Sequence, residues 1–381
     1  MAIIKYILLL LLFIQSFQKS DVYFTKTISP KMIVEMYKKL NVKLTGNIGL
    51  KVHTGEKDGP YFLRPSLLKD IYDYTGGTFI ECNTAYSSGT RHTTELHKDT
   101  LQYNGWTDYR MVIMDEDVNQ NFNLTVNNHH NISENIAGGH LKIFDSCIVL
   151  AHFKGHPMGG FGGALKQLSI GFASREGKAF IHSGGYTTDY ITTWENEAEQ
   201  LDFTAAMADS ASSIVDYFKS KGGIVYINVL ANISTICDCG GKLAPPPKIR
   251  DIGILASLDP VAIDKACYDL IVKENNTGSH EWIAQAESLL ALNTLKIAEE
   301  EHHMGTQDYN LIEVSGEEEE EEETNYVLYI IIGLAGLIVI CGIIVIVLYF
   351  LKKNKNKDGQ KDNLVNETED GLGDAVVSRA E

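Results

Sequence analysis

Two cysteines one residue apart, Cys237 and Cys239, are the first side chains in this sequence that could do chemistry. Thiolates at this spacing can bind a soft metal ion, and they can also form a disulfide with each other or with other cysteines. A third alternative is that both are inert packing residues. The spacing alone leaves all three alternatives open.

A second candidate is the segment HFKGHPMGGFGGALKQLSIG at 152–171, in which a predicted strand leads into a His-x-x-x-His pair. Lys154 and Lys166 can neutralise a carboxylate or a phosphate. The segment resembles neither a Walker A motif nor a dinucleotide fingerprint, so the ligand class stays open. Four glycines precede a helix predicted to begin near Ala164, where backbone N–H groups can receive an anion. Close helix–strand packing is the alternative role of these glycines: Gly159, Gly160, Gly162 and Gly163.

Histidines recur where the predicted strands end, and neutral imidazole can act as a metal ligand or as a general base near pH 7. A single loop histidine is more often a plain hydrogen-bonding residue, but here several follow strands that could share one sheet edge. The absence of Gly-x-Ser-x-Gly and His-Glu-x-x-His motifs argues against a standard serine hydrolase or zincin. The histidines of this group are His53, His92, His97, His152 and His156, whereas four others lie in polar stretches and are expected at the surface: His129, His130, His302 and His303.

Short β-branched runs alternate with helical patterns between residues 21 and 315, which predicts one α/β domain with a largely parallel sheet and flanking helices. In such a sheet, ligands bind beyond the carboxyl ends of the strands, so the loops that carry the candidates should line one mouth. The predicted strands are 47–53, 78–82, 147–152, 224–230 and 252–256. The predicted helices are 30–40, 65–74, 91–104, 203–219, 260–273 and 281–298.

The two ends of the chain predict a membrane protein of the secretory pathway. Residues 1–20 combine Lys5, a short apolar run and a polar exit, as a signal peptide does. Residues 326–351 form an apolar stretch long enough to span the lipid bilayer, and lysines follow it directly. The positive-inside rule then puts the tail 352–381 in the cytosol and predicts type I single-pass topology, with the N-terminal domain outside. The polar composition of this tail predicts that it is disordered. The expected location is a cell-surface membrane.

The composition supports this assignment. The chain has 381 residues and a formal net charge of −17, which argues against a nucleic-acid partner. Six cysteines are too few for a disulfide scaffold. Seven consecutive glutamates fall in the stretch 316–325, which we interpret as an acidic stalk that is an extended spacer or, alternatively, a sink for divalent cations. Four sequons predict a glycoprotein, at Asn123, Asn131, Asn232 and Asn275.

These motifs, in this order, resemble the domain of unknown function 362 family, whose members are often labelled iron–sulfur-centre proteins. The resemblance covers about 45–315 and brings no established reaction. Many relatives insert a ferredoxin-like segment with Cys-x-x-Cys runs before the position of Trp194, whereas residues 183–199 here contain no cysteine. The resemblance rests on GLKVHTGE at 49–56, YFLRP at 61–65, GTR at 89–91 with His97, the segment 152–171, YINVLANIS at 226–234 with Cys237 and Cys239, and DIGILASLDPVAID at 251–264.

The resemblance implies a pocket that binds a metal and a small anionic ligand. A ferredoxin-type iron–sulfur cluster is not expected without the cysteine-rich insert, and an oxidising compartment favours a divalent metal such as zinc, or a Cys237–Cys239 disulfide. Whether a reaction occurs is left open. The expected metal ligands are Cys237, Cys239, His152, His156 and His97. The expected anion ligands are Lys154, Arg91, Lys166, His53, Gly159, Gly160, Gly162 and Gly163.

A different class of function is an alternative. The sequons, the acidic stalk and the short tail also suit a cell-surface binding or adhesion module that uses the fold structurally. This alternative predicts a macromolecular partner and no bound metal.

Overall fold

A computed structural model describes residues 19–116, 121–236, 238–316, 330–334, 336–349 and 351–352, without the side chains of residues 238 and 239. The chain divides into two compact units, Met1–Gly316 and Glu317–Glu381. The predicted signal peptide up to residue 18, the stalk from residue 317 and the tail from residue 353 lie outside the described residues. Strand β1 begins at Ser20, so a cleavage after that residue would remove the first residue of the strand.

The first unit is built on an eight-stranded sheet with the strand order β12-β1-β11-β10-β7-β2-β3-β4. The five strands from β10 to β4 are parallel to one another, and β11 is antiparallel to both of its neighbours. The strands are β1 Ser20–Thr25, β2 Ile48–Lys51, β3 Thr78–Glu81, β4 Met111–Ile113, β7 Ser146–His152, β10 Gly223–Leu230, β11 Gly253–Ser257 and β12 Tyr309–Glu313.

Two small antiparallel pairs lie outside this sheet. β5 (Phe122–Thr125) pairs with β6 (Glu134–Ala137), and β8 (Lys154–His156) pairs with β9 (Gly160–Gly162). The segment that carries the sequons at Asn123 and Asn131 is therefore in part a hairpin. The second pair folds the glycine-rich segment back over the end of β7.

Helices cover both faces of the sheet, as the strand sequences require. Successive residues of β7 point to opposite faces: Val149 packs in one hydrophobic cluster, whereas Ile148 and Leu150 pack in the other. A sheet buried on both faces has continuously apolar strands rather than alternating ones. The helices are α1 Pro30–Lys39, α2 Lys69–Thr75, α3 Thr94–Tyr103, α4 Ala164–Leu168, α5 Arg175–His182, α6 Gln200–Lys219, α7 Pro260–Glu274, α8 Thr277–Ser288 and α9 Ala291–Glu300.

Local capping explains several helix starts. Ser29 caps α1 by accepting the N–H of Met32, and Asp259 caps α7 by accepting the N–H of Val261 and Ala262. The single helix predicted at 281–298 is wrong, because α8 and α9 are separate helices. The helical backbone is interrupted between them at Leu290, which has a left-handed conformation with φ 50°.

In the second unit, one helix, Ile330–Tyr349, contains 20 residues and is long and apolar enough to cross a membrane. Its length agrees with the hydrocarbon thickness of a bilayer, because a helix of 20 residues rises about 30 Å. The expected span of 326–351 is thus a helix over the part of it that the structure describes.

Candidate functional site

A cavity of about 530 Å³ opens at the carboxyl ends of β2, β3 and β7. These strands are parallel neighbours, so the loops that follow them meet at one edge of the sheet. The hairpin β8–β9 and the short helix α4 form another part of the wall. The loops that carry the candidate residues contribute to the lining, which includes His53, Tyr86, His152 and Gly240.

Positive charge predominates in the lining of the cavity. Its cationic side chains are Arg91, Lys154, Lys166 and Lys178, and its one lining carboxylate, among the described residues, is Glu81. The chain as a whole carries a net charge of −17. A local excess of cations inside an acidic protein attracts small anions to this cavity.

Glu81 offsets the charge of only one of these cations, Arg91, to which it is bound. Nη1 of Arg91 lies 2.8 Å from Oε1 of Glu81, and Nη2 lies 2.9 Å from Oε1 of Glu56. All three side chains are buried. Burial alone would raise the pKa of Glu81, but Arg91, followed by His97 and Lys51, holds this pKa well below its usual range. Arg91 therefore neutralises protein carboxylates as well as facing the cavity.

Lys166 on α4 lies in the cavity wall with no hydrogen-bond acceptor or carboxylate partner among the residues that the structure describes. Desolvation and the charges of Lys154, Lys178, Lys51 and Arg91 lower the pKa of Lys166 to about 7. Such neighbours disfavour a further ammonium, so an anion that enters the cavity relieves the repulsion. Lys166 is therefore the cation most available to a ligand.

Two other lysines of this cluster, Lys178 and Lys51, are fixed by carbonyl oxygens. Nζ of Lys178 donates to the carbonyl of Ala173 at 2.6 Å, and Nζ of Lys51 donates to the carbonyl of Val52 at 2.6 Å and to Oε1 of Gln167 at 2.9 Å. Lys51 is fully buried below the cavity, and burial lowers its pKa to about 8. These contacts hold positive charge near Lys166.

His152 and His156 both line the cavity, and the backbone orients both rings. Nδ1 of His156 accepts the N–H groups of Met158 at 3.2 Å and Gly159 at 3.0 Å, so Nε2 carries the proton in the neutral ring. Burial, followed by the charge of Lys166, holds the pKa of His156 well below its usual range. Nε2 of His152 donates to the carbonyl of Ala231 at 2.6 Å.

An uncharged aromatic surface adjoins the cations. The His182 ring stacks on Phe203 with centroids 4.7 Å apart and lies 5.2 Å from the ring of Trp194. Burial lowers the pKa of His182 to about 3, so this ring is neutral. Trp194 and His182 both line the cavity, which therefore offers aromatic surface as well as positive charge.

The N-terminus of α4, predicted to receive an external anion, instead binds a carboxylate of the protein. Asp264 accepts the N–H of Ala164 at 2.8 Å and that of Leu165 at 2.9 Å. Asp264 is fully buried, and this burial raises its pKa to about 6. A Cβ on Gly163 would lie 2.4 Å from Oδ1 of Asp264, so this glycine serves close packing.

Three other predicted ligands lie away from the cavity lining. Nδ1 of His97 lies 3.0 Å from Oδ1 of Asn83, and its Nε2 lies 3.3 Å from Oγ1 of Thr54. Both ring nitrogens therefore have protein partners, and we remove His97 from the expected metal ligands. Gly159 and Gly160 are also absent from the lining, whereas Gly162 belongs to it.

The predicted cysteine pair cannot be placed, because Cys237 and the side chain of Cys239 lie outside the described residues. Ile236 and Gly240, which flank the pair, line the cavity. Within the described part of the chain, no group of three or more His, Cys, Asp and Glu side chains is arranged to hold a metal ion. The described cysteines of the first unit are buried free thiols: Cys82, Cys147 and Cys267.

Sequence reasoning missed Lys178, His182, Glu81 and Trp194. The first two are four residues apart and share one face of α5, a helix that was not predicted. That spacing was a usable signal, and Ser174 caps the helix by accepting the N–H of Gly177 at 3.1 Å. Glu81 and Trp194 gave no comparable signal, because only tertiary contacts bring them to the cavity.

The sequons differ in exposure. Asn123, Asn232 and Asn275 are exposed, whereas Asn131 is half-buried and its backbone N–H donates to Asp209 at 2.6 Å. Ser234, the third residue of the Asn232 sequon, is buried. The sequons at Asn123 and Asn275 are therefore more accessible than those at Asn131 and Asn232.

The observed architecture defines a mixed α/β protein with a mostly parallel sheet and a cavity at the carboxyl edge of its strands. The model of the family described as "Domain of unknown function (DUF362)" matches residues 48–269, and the chain belongs to this family. No curated protein matches the chain.

Two solved structures show a distant likeness. A protein from Thermotoga maritima has 11% identity and a TM-score of 0.36, with 71% of this chain and 57% of that chain covered. The lactate racemase apoprotein from Thermoanaerobacterium thermosaccharolyticum has 14% identity and a TM-score of 0.33, with 55% and 50% covered. This chain thus spans about half the length of each structure, and TM-scores this low carry no inference about its activity.

Proposed function

We propose that this chain is a type I single-pass membrane glycoprotein whose N-terminal α/β domain binds a small organic anion in the cavity. One observation carries the ligand class: the described lining has four cationic side chains against a single carboxylate, and that carboxylate pairs with Arg91 rather than with a lysine. A volume of about 530 Å³ falls within the range of small-molecule sites. The aromatic face of His182 and Trp194 suits the carbon skeleton of an organic acid.

Thermal unfolding of the full chain in detergent tests ligand binding. Monocarboxylates, dicarboxylates and phosphate esters are added separately, with neutral alcohols as controls. A ligand at 100 times its Kd should stabilise the folded state by about 2.7 kcal/mol and raise Tm. Equal Tm values with anions and alcohols would contradict the proposal.

A matched pair of variants locates the binding. Lys166→Met removes a cavity cation while keeping an unbranched chain, and Lys273→Met removes an exposed lysine at the end of α7. Lys166→Met should weaken anion binding about tenfold, as expected for the loss of one charge-assisted hydrogen bond, whereas Lys273→Met should leave it unchanged. If both variants bind like the wild type, the anion lies elsewhere.

The membrane part of the proposal is supported by the apolar helix Ile330–Tyr349, by the lysines that follow it and by the exposed sequons. In intact cells, glycosidase treatment should reduce the apparent mass, and Asn123→Gln with Asn275→Gln should remove most of that change. A tag at the C-terminus should resist external protease. Unchanged mass and a digested tag would contradict type I topology.

A divalent metal such as zinc is a second expectation, favoured by the position of Ile236 and Gly240, which flank the cysteine pair and line the cavity. His156 would ligate only through Nε2, since Nδ1 accepts two backbone N–H groups. The cationic lining opposes a metal unless thiolates supply negative charge. Elemental mass spectrometry of the full chain should then find metal that Cys237→Ser with Cys239→Ser removes. If the chain holds no metal, and if the double cysteine variant still binds the same cell-surface partner, the result supports the adhesion alternative.

A further inference from the structure

The amino group of Lys166 has an environment suited to covalent chemistry as well as charge. It faces the cavity from α4, and no acceptor or carboxylate among the described residues holds it in the ammonium form. A lysine beside other cations loses its proton near neutral pH and becomes a nucleophile. A pKa of about 7 for Lys166 is consistent with this geometry.

The neighbours of Lys166 supply what a carbonyl substrate with a carboxylate would need. Lys154, Lys178 and Arg91 are the other cationic side chains in the described lining of the same cavity. His156 presents Nε2–H as a hydrogen-bond donor, because its Nδ1 accepts two backbone N–H groups. A carboxylate can pair with the cations while the donor polarises the adjacent carbonyl oxygen.

We propose that Lys166 forms an imine with a 2-oxo acid in this cavity. This inference rests on the proposed anion-binding function and names its substrate class. The Nζ lone pair attacks the carbonyl carbon, a C–N bond forms, and the C=O π electrons move to oxygen. Both protons of the neutral amine end on that oxygen, which leaves as one water when the C–O bond breaks. The step consumes no oxidant, reductant or further reactant.

Reductive trapping tests the imine directly. The full chain in detergent at about pH 7 is incubated with pyruvate and sodium cyanoborohydride, and peptides are mapped by mass spectrometry. Lys166 should be labelled about a hundredfold faster than Lys273, which is exposed at the end of α7. Equal labelling of the two lysines would overturn the inference.

Two further probes separate the substrate class from the reactivity of the lysine. Acetone has the carbonyl without the carboxylate, and lactate has the carboxylate without the carbonyl. Acetone should label Lys166 about tenfold more slowly than pyruvate, and lactate should raise Tm without labelling. Equal labelling by acetone and pyruvate would overturn the choice of a 2-oxo acid.

A substitution of a neighbouring lysine tests whether nearby positive charge makes Lys166 reactive. Lys154→Met removes one nearby cation, which should raise the pKa of Lys166 and therefore slow its labelling more at about pH 7 than at about pH 9. Unchanged Tm shows that the variant folds. If lactate and pyruvate raise the wild-type Tm but no labelling of Lys166 occurs, the imine is wrong and anion binding stands. If neither raises Tm and no labelling occurs, the proposed function fails as well.

Discussion

The carboxylate of Asp264 on α7 accepts the backbone N–H of Ala164 at 2.8 Å, at the first residue of α4. A second bond, from the N–H of Leu165 at 2.9 Å, fixes the same turn. Since Lys166 follows directly on α4, Asp264 acts as a positioning residue for the cation that faces the cavity. The anion at this helix N-terminus is internal, so a ligand meets side chains rather than the helix end.

Two adjacent glycines should respond differently to alanine. The nearest atom to a Cβ on Gly163 is Oδ1 of Asp264 at 2.4 Å, whereas a Cβ on Gly162 meets nothing closer than 3.8 Å. Gly163→Ala should therefore destabilise the fold by about 1–3 kcal/mol, and Gly162→Ala should change it by less than about 1 kcal/mol. Chemical denaturation of the two variants measures both values. Equal losses would show that Asp264 does not approach Gly163 as described.

The buried arginine should be far more important for stability than an exposed one. Arg91→Gln leaves Glu81 and Glu56 buried without their cation, so we expect a loss of about 3–5 kcal/mol. Arg250→Gln removes a pair with Glu274 in which the arginine is 77% exposed, and should change the stability far less. Thermal unfolding of both variants provides the comparison. A loss for Arg91→Gln as small as that for Arg250→Gln would contradict the buried network.

Anion binding should weaken above neutral pH. The pKa of Lys166 is lowered to about 7 in the free protein, and an anion favours the protonated form and raises it. Binding is therefore strongest below about pH 7, and Kd should rise by up to tenfold per pH unit above it. Titration calorimetry between about pH 6 and pH 9 measures this slope. Lys166→Met should flatten the profile, and a wild-type profile that is already flat would exclude Lys166 from the site.

The aromatic face should select among organic acids. Trp194→Ala removes an indole that lines the cavity beside the neutral His182 ring. Aromatic stacking contributes about 0.5–1.5 kcal/mol, so a benzoate-type ligand should lose up to about tenfold in affinity and acetate almost nothing. Leu201→Ala, at an exposed apolar residue of α6, is the control. Equal losses for benzoate and acetate would indicate a general disturbance of the cavity.

Local patterns in the sequence predicted many of the strands and helices of the domain. The apolar runs of β7 and β10 identify strands buried on both faces, and Ser29-Pro30 and Asp259-Pro260 identify helix starts. These features depend on side-chain periodicity and on capping within a few residues of the chain. The convergence of the loops follows from parallel strand order, which the alternation of strands and helices indicated.

What the sequence by itself determined is the α/β class, the apolar C-terminal helix and the set of loops in which site residues would be found. Only the tertiary structure decided which of those residues meet. Asp264 binds a helix end 100 residues earlier in the chain, and Arg91 pairs with Glu81 at the end of β3 and with Glu56 in the loop that follows β2. Such pairings depend on how distant segments pack in the folded domain, and the local periodicity of a sequence does not predict contacts between distant segments.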